Sequence, residues 1–280
     1  MSPPMSDKSV LHLTKHHGSG NDFLILVDVD CSIPVEPALA RALCDRHLGV
    51  GADGVIRVLA GGSGTDLTME LRNADGGAAE MSGNGMRCLA QAAVDAGLVT
   101  PPTFTVMTAA GIRAVEYRAG EAPGSAVASV DMGVVELGSD QPQRFSARKA
   151  RQVDLGNPHL VLLGPDPAGV DVAELGSRLQ DLYPGGINVE FIAVGPGSDA
   201  ITMRVWERGV GETRACGTGS AAAAAAARSW DLVGDTVDVH NPGGTLQVSL
   251  ESDRVRLSGP VQKVAAIEVD VDELLGATRL

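Results

Sequence analysis

The sequence has few aromatic residues, which limits what can fill its interior. Phe, Trp and Tyr make up only 3% of the 280 residues, whereas 44% of the residues are hydrophobic. We therefore expect Val, Leu, Ile and Ala to form the core. Charged residues account for 20%, which is ordinary for a globular protein. The length allows two domains of usual size.

The chain also lacks an excess of positive charge, since its formal net charge is -13. Nucleic acids and anionic membranes are bound by basic surfaces, so we expect neither as a partner. No apolar run reaches the roughly 20 residues of a transmembrane helix. The N-terminal stretch MSPPMSDKSV lacks the apolar segment of a signal peptide. We expect a cytoplasmic protein whose residues 1–9 form a disordered lead.

Cysteine is scarce and carries no metal-type spacing. The chain has four cysteines, and none lies in a C-x-x-C pair. The sequence therefore predicts no metal site, and a cytoplasmic compartment would keep the thiols reduced. Cys31, Cys44 and Cys88 can each be interpreted as small core residues, whereas Cys216 lies in a more informative stretch.

Two stretches share one layout. The first is RNADGGAAEMSGNGMRC, residues 72–88, and the second is WERGVGETRACGTGSAA, residues 206–222, so that Ser82 corresponds to Cys216. Two further pairs of segments recur in the same order, GNDFLIL with GNPHLVL and GADGVI with GINVEFI. A repeat of this length indicates a duplicated domain rather than a solenoid unit.

Each copy alternates short strand patterns with a glycine-opened helix. We therefore predict an α+β protein of two pseudo-symmetric α/β domains, each with a central helix surrounded by strands and with the active site in the cleft between them. The predicted N-terminal domain covers residues 10–122, with residues 266–280 returning to it. The predicted C-terminal domain covers residues 123–265.

The repeated turns suggest an anion site. The first N–H groups of a helix lack internal partners and, with the helix dipole, attract a carboxylate. A cysteine in this position has a lowered pKa, so we expect Cys216 to exchange protons beside a bound anion. Two such turns could hold one carboxylate and place a side chain on each face of its α-carbon. The competing interpretation of Cys216 is a buried, inert thiol beside a tight turn.

The chain resembles diaminopimelate epimerase, a pyridoxal-independent amino-acid epimerase, from about His12 to Leu275. The matching segments are KHHGSGNDFLIL, CDRHLGVGADG, RNADGGAAEMSGNGMRC, GNPHLVLL, GGINVEFI and ERGVGETRACGTGSAA. The resemblance implies two pseudo-symmetric domains and a homodimer. It also implies a small diamino diacid substrate, conversion of LL- to meso-diaminopimelate for lysine and peptidoglycan precursors, and no cofactor or metal.

One catalytic position departs from the family. The family uses two cysteines as an acid–base pair; one matches Cys216 and the other falls on Ser82. A hydroxyl is a much weaker acid than a thiol and a poor base for an α-proton. Cys88 lies on a different helix face and is not an obvious replacement. Ser82 can be a natural variant of a working epimerase, an introduced Cys→Ser change, or the mark of an enzyme with different chemistry.

The resemblance assigns the remaining site residues. It places His159 and Glu207 beside the catalytic pair, His159 tuning the base and Glu207 also accepting from an amino group, and it pairs Arg208 with the distal carboxylate. Gly54 replaces a side chain that reaches the substrate in some members. The N–H groups that would hold the reacting carboxylate are those at Gly83, Asn84, Gly217 and Thr218. The side chains that would hydrogen-bond the substrate are those of Asn21, Asn73, Asn157 and Asn188.

Other functions remain open at this point. One is another pyridoxal-independent racemase or dehydratase, and another is an amino-acid-binding homologue that Ser82 has impaired. A phosphate-binding loop is disfavoured because G-x-x-x-x-G-K-[ST] is absent. A serine hydrolase is disfavoured because G-x-S-x-G is absent.

Overall fold

The computed structural model describes residues 10–141 and 147–277, so the predicted lead of residues 1–9 lies outside the described residues. The fold is mixed α/β and rich in strands. The chain divides into two compact units. In the described residues, unit 1 contains 10–18, 22–128 and 261–277, and unit 2 contains 19–21 and the described part of 129–260. Residues 123–128 and 261–265, predicted for the C-terminal domain, group with unit 1.

Unit 1 is formed from both ends of the described chain. Its N-terminal elements are β1 (Val10–Gly18), β2 (Asn21–Val27), α1 (Pro37–Cys44), β3 (Gly54–Ala60), β4 (Leu67–Asn73), β5 (Ala78–Ala79), α2 (Gly83–Asp95), β6 (Thr103–Thr108) and β7 (Gly111–Ala119). The chain leaves unit 1 within β8 (Ser125–Val134) and returns within β17 (Arg254–Asp270), which precedes α5 (Val271–Ala277).

Unit 2 is formed from the middle of the chain. Its elements are β9 (Glu136–Asp140), β10 (Lys149–Asp154), β11 (Pro158–Leu163), a short 3-10 turn (Pro167–Gly169), α3 (Val172–Gln180), β12 (Asn188–Val194), β13 (Ala200–Glu207), β14 (Gly211–Thr213), α4 (Gly217–Ser229), β15 (Thr236–Asn241) and β16 (Gly244–Glu251).

The two units pair their strands in the same order. In unit 1, β2 runs parallel to β3 with Phe23 opposite Gly54, β3 is antiparallel to β4, and β4 is parallel to β6. In unit 2, β11 runs parallel to β12 with His159 opposite Asn188, β12 is antiparallel to β13, and β13 is parallel to β15. A hairpin follows in each unit, β6–β7 in one and β15–β16 in the other.

Each unit packs its sheet around one largely buried helix of 13 residues, α2 in unit 1 and α4 in unit 2. Helix α4 buries every alanine from Ala221 to Ala227. Alanine has the highest intrinsic helix propensity, and its small side chain lets strands approach the helix closely. The predicted aliphatic core is present, with Leu24 and Leu43 fully buried in unit 1 and Leu160 and Val189 fully buried in unit 2.

Within the two described stretches, no helix has both the length and the apolar character needed to cross a membrane.

Candidate functional site

The Cys216 thiol lies at the N-terminus of α4. Cys216 is the N-cap residue, with an extended backbone, and its Sγ accepts a hydrogen bond from the Gly219 N–H at 3.4 Å. The Thr218 hydroxyl lies 3.5 Å from the same sulfur. Gly217 and Gly219 are buried and Thr218 is half-buried. The thiol therefore has two hydrogen-bonding neighbours within the first turn of the helix.

The predicted lowering of the Cys216 pKa is wrong. Burial raises the pKa of the Cys216 thiol well above its usual value, and the negative charges of Glu207 and Glu190 add to this rise. Hydrogen bonds from Thr218 and Gly219 act in the opposite direction. The helix N-terminus alone does not outweigh burial of a thiol that is only 5% exposed.

Glu207 ends strand β13 and contacts the same thiol. The Thr213 hydroxyl donates a hydrogen bond to Glu207 Oε1. Burial raises the pKa of Glu207, and its hydrogen bonds with Thr213 and Cys216 oppose the rise. Strand β13 thus places a carboxyl group with a raised pKa beside the thiol.

His159 and Glu190 form a buried pair on the parallel strands β11 and β12. His159 Nδ1 lies 2.6 Å from Glu190 Oε1, and both side chains are fully buried. His159 Nε2 lies 3.1 Å from Asn157 Oδ1, and Asn157 Nδ2 donates to Thr218 Oγ1 at 3.4 Å. Three predicted site residues, His159, Asn157 and Thr218, are therefore brought together with Cys216.

Glu190 was not among the site residues predicted from the sequence. The signal available was a single acidic residue within the otherwise apolar strand NVEFIAV. A carboxylate that is 0% exposed needs a partner of its own, because burying an unpaired charge is costly.

Asn188 and Arg208 form a second contact in unit 2. Asn188 Oδ1 accepts a hydrogen bond from the Arg208 backbone N–H at 2.9 Å, and Asn188 Nδ2 donates to the Pro158 carbonyl at 3.0 Å. The exposed Arg208 guanidinium donates a hydrogen bond to the Gly185 carbonyl at 3.4 Å. Asn188 therefore fixes the backbone from which Arg208 projects. Asn21, at the start of β2, also groups with unit 2 and is half-buried.

In unit 1, Ser82 has the position that Cys216 has in unit 2. Ser82 caps α2, and its Oγ accepts a hydrogen bond from the Gly85 N–H at 3.0 Å. Gly83 and Asn84 follow it as buried residues of the first turn, and Asn84 Oδ1 accepts from Arg87 at 3.0 Å. These residues lie together at one helix N-terminus.

Other predicted positions of unit 1 lie near this turn in the chain. The half-buried Asn73 ends β4, and its backbone N–H donates to the Gly77 carbonyl at 2.9 Å. Cys88 lies inside α2, and burial raises its pKa to about 12, which suits an inert core thiol. A Cβ on Gly54 would lie 2.7 Å from the Arg72 carbonyl oxygen, so a side chain there would require the backbone to shift.

The residues beneath the two turns differ in character. A Cβ on Gly85 would lie 2.9 Å from Ile56 Cδ1 and 3.4 Å from the Phe23 ring. A Cβ on Gly219 would instead lie 2.8 Å from Glu190 Oε1. The turn of unit 1 thus rests on apolar side chains, whereas the turn of unit 2 rests on a carboxylate paired with His159.

Over residues 10–141 and 147–277, no group of three or more His, Cys, Asp or Glu residues is arranged to hold a metal ion.

Comparison with known proteins gives one consistent family. The family description of diaminopimelate epimerase matches residues 13–138 and 151–264. The diaminopimelate epimerase of Corynebacterium glutamicum (strain ATCC 13032) is 40% identical over 271 residues, which cover 92% of this chain and 97% of that protein. The diaminopimelate epimerase of Synechocystis sp. PCC 6803 is 36% identical over 283 residues, which cover 93% of this chain and 99% of that protein.

Solved structures with low sequence identity share the fold. A probable proline racemase from Agrobacterium radiobacter K84 superposes with a TM-score of 0.73 at 17% identity, covering 92% of each chain. A phenazine biosynthesis protein of the PhzF family from Bacillus anthracis has a TM-score of 0.70 at 15% identity, covering 93% of this chain and 99% of that chain. At these identities the likeness shows the fold alone.

Proposed function

The chain belongs to the diaminopimelate epimerase family, and we propose that it interconverts LL-2,6-diaminopimelate and meso-diaminopimelate without a cofactor or a metal. The enzyme is an isomerase, and the proposed reaction belongs to the biosynthesis of lysine and peptidoglycan precursors. The observation that carries the proposal is the Cys216 thiol at the N-terminus of α4, in contact with Thr218, Gly219 and Glu207.

Epimerisation requires one group that removes the α-proton and another that returns a proton to the opposite face of the carbon. We assign one role to Cys216 and the other to Ser82. Burial keeps Cys216 protonated in the free chain. The α-ammonium group of an amino acid carries a positive charge, and its approach would favour the thiolate by Coulomb attraction. Glu207 hydrogen-bonds the thiol and would accept its proton.

Binding of the reacting carboxylate is assigned to N–H groups in the first turns of α2 and α4. Backbone N–H groups and the helix dipole favour an anion at such a position. The N–H groups proposed for this task are those of Gly83, Asn84, Gly217 and Thr218. Small residues there let a carboxylate approach the backbone.

The distal end of the substrate is assigned to Arg208, which projects from the turn that Asn188 fixes. An exposed guanidinium can bind a carboxylate with two parallel hydrogen bonds, which suits a diacid. Polar groups proposed to contact the amino groups or the rest of the chain are Asn21, Asn73, Asn157 and Glu207. His159 is proposed to act on the thiol rather than on the substrate.

Three further properties belong to the same proposal. The matching order of strand pairings and the two equivalent helices support pseudo-symmetry between the units. Cytoplasmic location and assembly as a homodimer are proposed from the resemblance to the family.

The test is α-hydrogen exchange with LL-diaminopimelate in deuterated water, followed by proton NMR. The wild-type chain should incorporate α-deuterium and form the meso isomer, whereas Cys216→Ala should do neither. Cys31→Ala is the matched control, because Cys31 is an exposed thiol of unit 1 and should leave exchange unchanged. Exchange that persists in Cys216→Ala would contradict the proposal.

Ser82 supports one alternative, a homologue that binds the diamino diacid without turning it over. This alternative predicts that calorimetry detects binding of LL-diaminopimelate to the wild-type chain while NMR detects no deuterium incorporation. The same two measurements therefore separate an enzyme from an impaired binding protein.

A further inference from the structure

His159 lies between two hydrogen-bond acceptors. Its Nδ1 is 2.6 Å from Glu190 Oε1, and its Nε2 is 3.1 Å from Asn157 Oδ1. The Asn157 amide nitrogen is already engaged, because it donates to Thr218 Oγ1 at 3.4 Å. A histidine donates from both ring nitrogens only when it is doubly protonated. The two partners of His159 therefore suit an imidazolium.

A buried imidazolium requires a counter-charge. His159 is 0% exposed, and an isolated buried cation would lose its proton rather than remain charged. Glu190 is also 0% exposed, and within the described residues its second oxygen, Oε2, has no hydrogen-bond partner. The carboxylate is thus committed to His159 through Oε1, as expected for a buried ion pair.

The pair is connected to the thiol by a short chain of hydrogen bonds. His159 contacts Asn157, Asn157 donates to Thr218, and Thr218 lies 3.5 Å from Cys216 Sγ. Because Thr218 Oγ1 accepts from Asn157, its own hydroxyl hydrogen is available to the sulfur. A hydroxyl that donates to sulfur stabilises the thiolate over the thiol.

We propose that Glu190 is a positioning residue, which holds His159 as a doubly protonated imidazolium whose second N–H group begins the hydrogen-bond chain to Cys216. This inference rests on the proposed function only in taking Cys216 as the thiol that exchanges the proton. Glu190 would not touch the substrate, and its effect on Cys216 would pass through His159, Asn157 and Thr218.

The positions of His159 and Glu190 have equivalents in unit 1, where side chains that only pack against the helix are found. The residues beneath the turn of α2 are Phe23 and Ile56, both buried and apolar. Packing alone is therefore satisfied by hydrocarbon side chains at this place in the fold. The charged pair of unit 2 accompanies the thiol, and the apolar pair accompanies the hydroxyl.

Several other charged groups on the strands that pack against α4 have partners of their own, as Arg204 has Glu212, Asp238 has Gln247 and Asp154 has the Gly156 N–H. Glu207 on β13 contacts the thiol itself. Arg151 on β10 bonds Ser229 at the opposite end of the helix, and His240 on β15 is occupied by Thr245 and the Pro196 carbonyl. Glu190 and Glu207 are thus the acidic groups that act on Cys216.

The first test is the protonation of His159 in the intact wild-type chain, read from the nitrogen-15 shifts of its imidazole at pH 7. The signal is assigned as the one absent from His159→Phe. Two protonated ring nitrogens are expected. One protonated and one bare nitrogen would overturn the proposal, and this result requires no variant of Glu190 to fold.

The second test is the rate at which iodoacetamide alkylates Cys216 at pH 8, measured by peptide mass spectrometry with exposed Cys31 as the internal reference. Loss of the imidazolium in Glu190→Gln should slow alkylation about tenfold, because a hydrogen bond to a charged group typically changes an equilibrium by about that factor. Thr218→Val should slow it similarly, and the double variant no further. A rate in Glu190→Gln that is unchanged or faster would overturn the proposal, because removing a bare negative charge would favour the thiolate.

The control variant is Glu212→Gln, which removes a carboxylate of the same unit that pairs with Arg204 instead. It should leave the alkylation rate unchanged. These readouts use no substrate, so they remain separate from the proposed function. Absence of α-deuterium exchange in the wild-type chain would refute the function, whereas exchange with an unaltered alkylation rate in Glu190→Gln would refute only the role of Glu190.

Discussion

Helices α2 and α4 begin in nearly the same way. The backbone angles φ and ψ are -135° and 123° at Ser82, and -120° and 121° at Cys216. Each side chain accepts a hydrogen bond from the N–H group three residues later, in Gly85 and in Gly219. Serine is a favoured N-cap residue, and here the thiol occupies the same position. The backbone of the turn therefore has nearly the same conformation with serine or cysteine as the N-cap residue.

The side chains beneath the two turns are not alike. Phe23 and Ile56 support the serine, whereas His159 and Glu190 support the cysteine. An anion site needs only backbone N–H groups, which both turns supply. Charged neighbours that shift the pKa of the cap residue are a separate feature, and Cys216 has them in Glu207 and Glu190. A duplicated helix N-terminus can thus keep its backbone conformation while a buried pair of titratable side chains lies beneath only one of the two copies.

The largest expected effect comes from making the two caps identical with Cys216→Ser. We expect the rate of α-deuterium exchange to fall by about 10³-fold, because the remaining hydroxyl is a poor base. The free energy of unfolding should change little, since serine caps helices well. NMR exchange and urea unfolding measure the two quantities. A stable variant with the wild-type exchange rate would remove Cys216 from the mechanism.

The next effect concerns the pair beneath the thiol. Glu190→Ile introduces the residue that unit 1 has at the equivalent position, Ile56, but leaves His159 buried without its carboxylate partner. We expect the free energy of unfolding to fall by about 3–5 kcal/mol, as when one half of a buried ion pair is removed. His159→Phe/Glu190→Ile should recover most of this loss without recovering activity. Urea unfolding measures both free energies. A double variant less stable than Glu190→Ile would show that Phe and Ile cannot replace the buried pair in unit 2.

A smaller effect on stability is expected at the start of strand β2, where Asp22 in unit 1 corresponds to Pro158 at the start of strand β11 in unit 2. Burial alone would raise the pKa of Asp22, but hydrogen bonds and charges from Arg46 and Lys15 lower it to about 2. Asp22 therefore stabilises the fold above pH 4, and this contribution is lost as the pH falls towards 2. The free energy of unfolding of Asp22→Asn should be about 2 kcal/mol below that of wild type at pH 7.

Urea unfolding of Asp22→Asn at several pH values checks this sign. The difference from wild type should be largest at neutral pH, shrink below pH 4 and vanish only below pH 2. Asp30→Asn, at an exposed position of the same unit, serves as the control and should show no such pattern. A difference that grew on acidification would contradict the assignment.

The smallest effect compares two glycine substitutions. In Gly85→Ala the new methyl group meets the far end of the flexible Ile56 side chain, so the clash is relieved cheaply, and alanine favours the helix by about 1 kcal/mol. In Gly219→Ala it meets Glu190 Oε1, which His159 holds in place. We expect thermal unfolding to show Gly219→Ala as the less stable variant. The reverse order would argue against a fixed carboxylate.

Much of this architecture was readable from the sequence. The repeat of glycines around Ser82 and Cys216 predicted two equivalent glycine-opened helices, and the two helices begin at Gly83 and Gly217. The low aromatic content predicted an aliphatic core, which Leu24 and Leu160 illustrate. Local patterns of this kind are visible because capping and periodicity depend on neighbouring residues.

The electrostatics of the thiol were not readable. A helix N-terminus predicts a lowered pKa for Cys216, but burial and the charges of Glu207 and Glu190 raise it. Glu190 belongs to another strand, and its contact with His159 arises only from the parallel register of β11 and β12. Pairings between residues distant in sequence depend on tertiary structure, so no local motif reveals them.

The most direct test of the account is the rate of α-deuterium exchange in Ser82→Cys, measured beside wild type with LL-diaminopimelate in deuterated water. Proton transfer is assigned to the two cap residues, and the hydroxyl is the weaker partner. The exchange rate of Ser82→Cys should therefore be about 10²-fold above that of wild type, and adding Cys216→Ala to this variant should abolish exchange. A rate equal to or below that of wild type would contradict the assignment of Ser82 to the reaction.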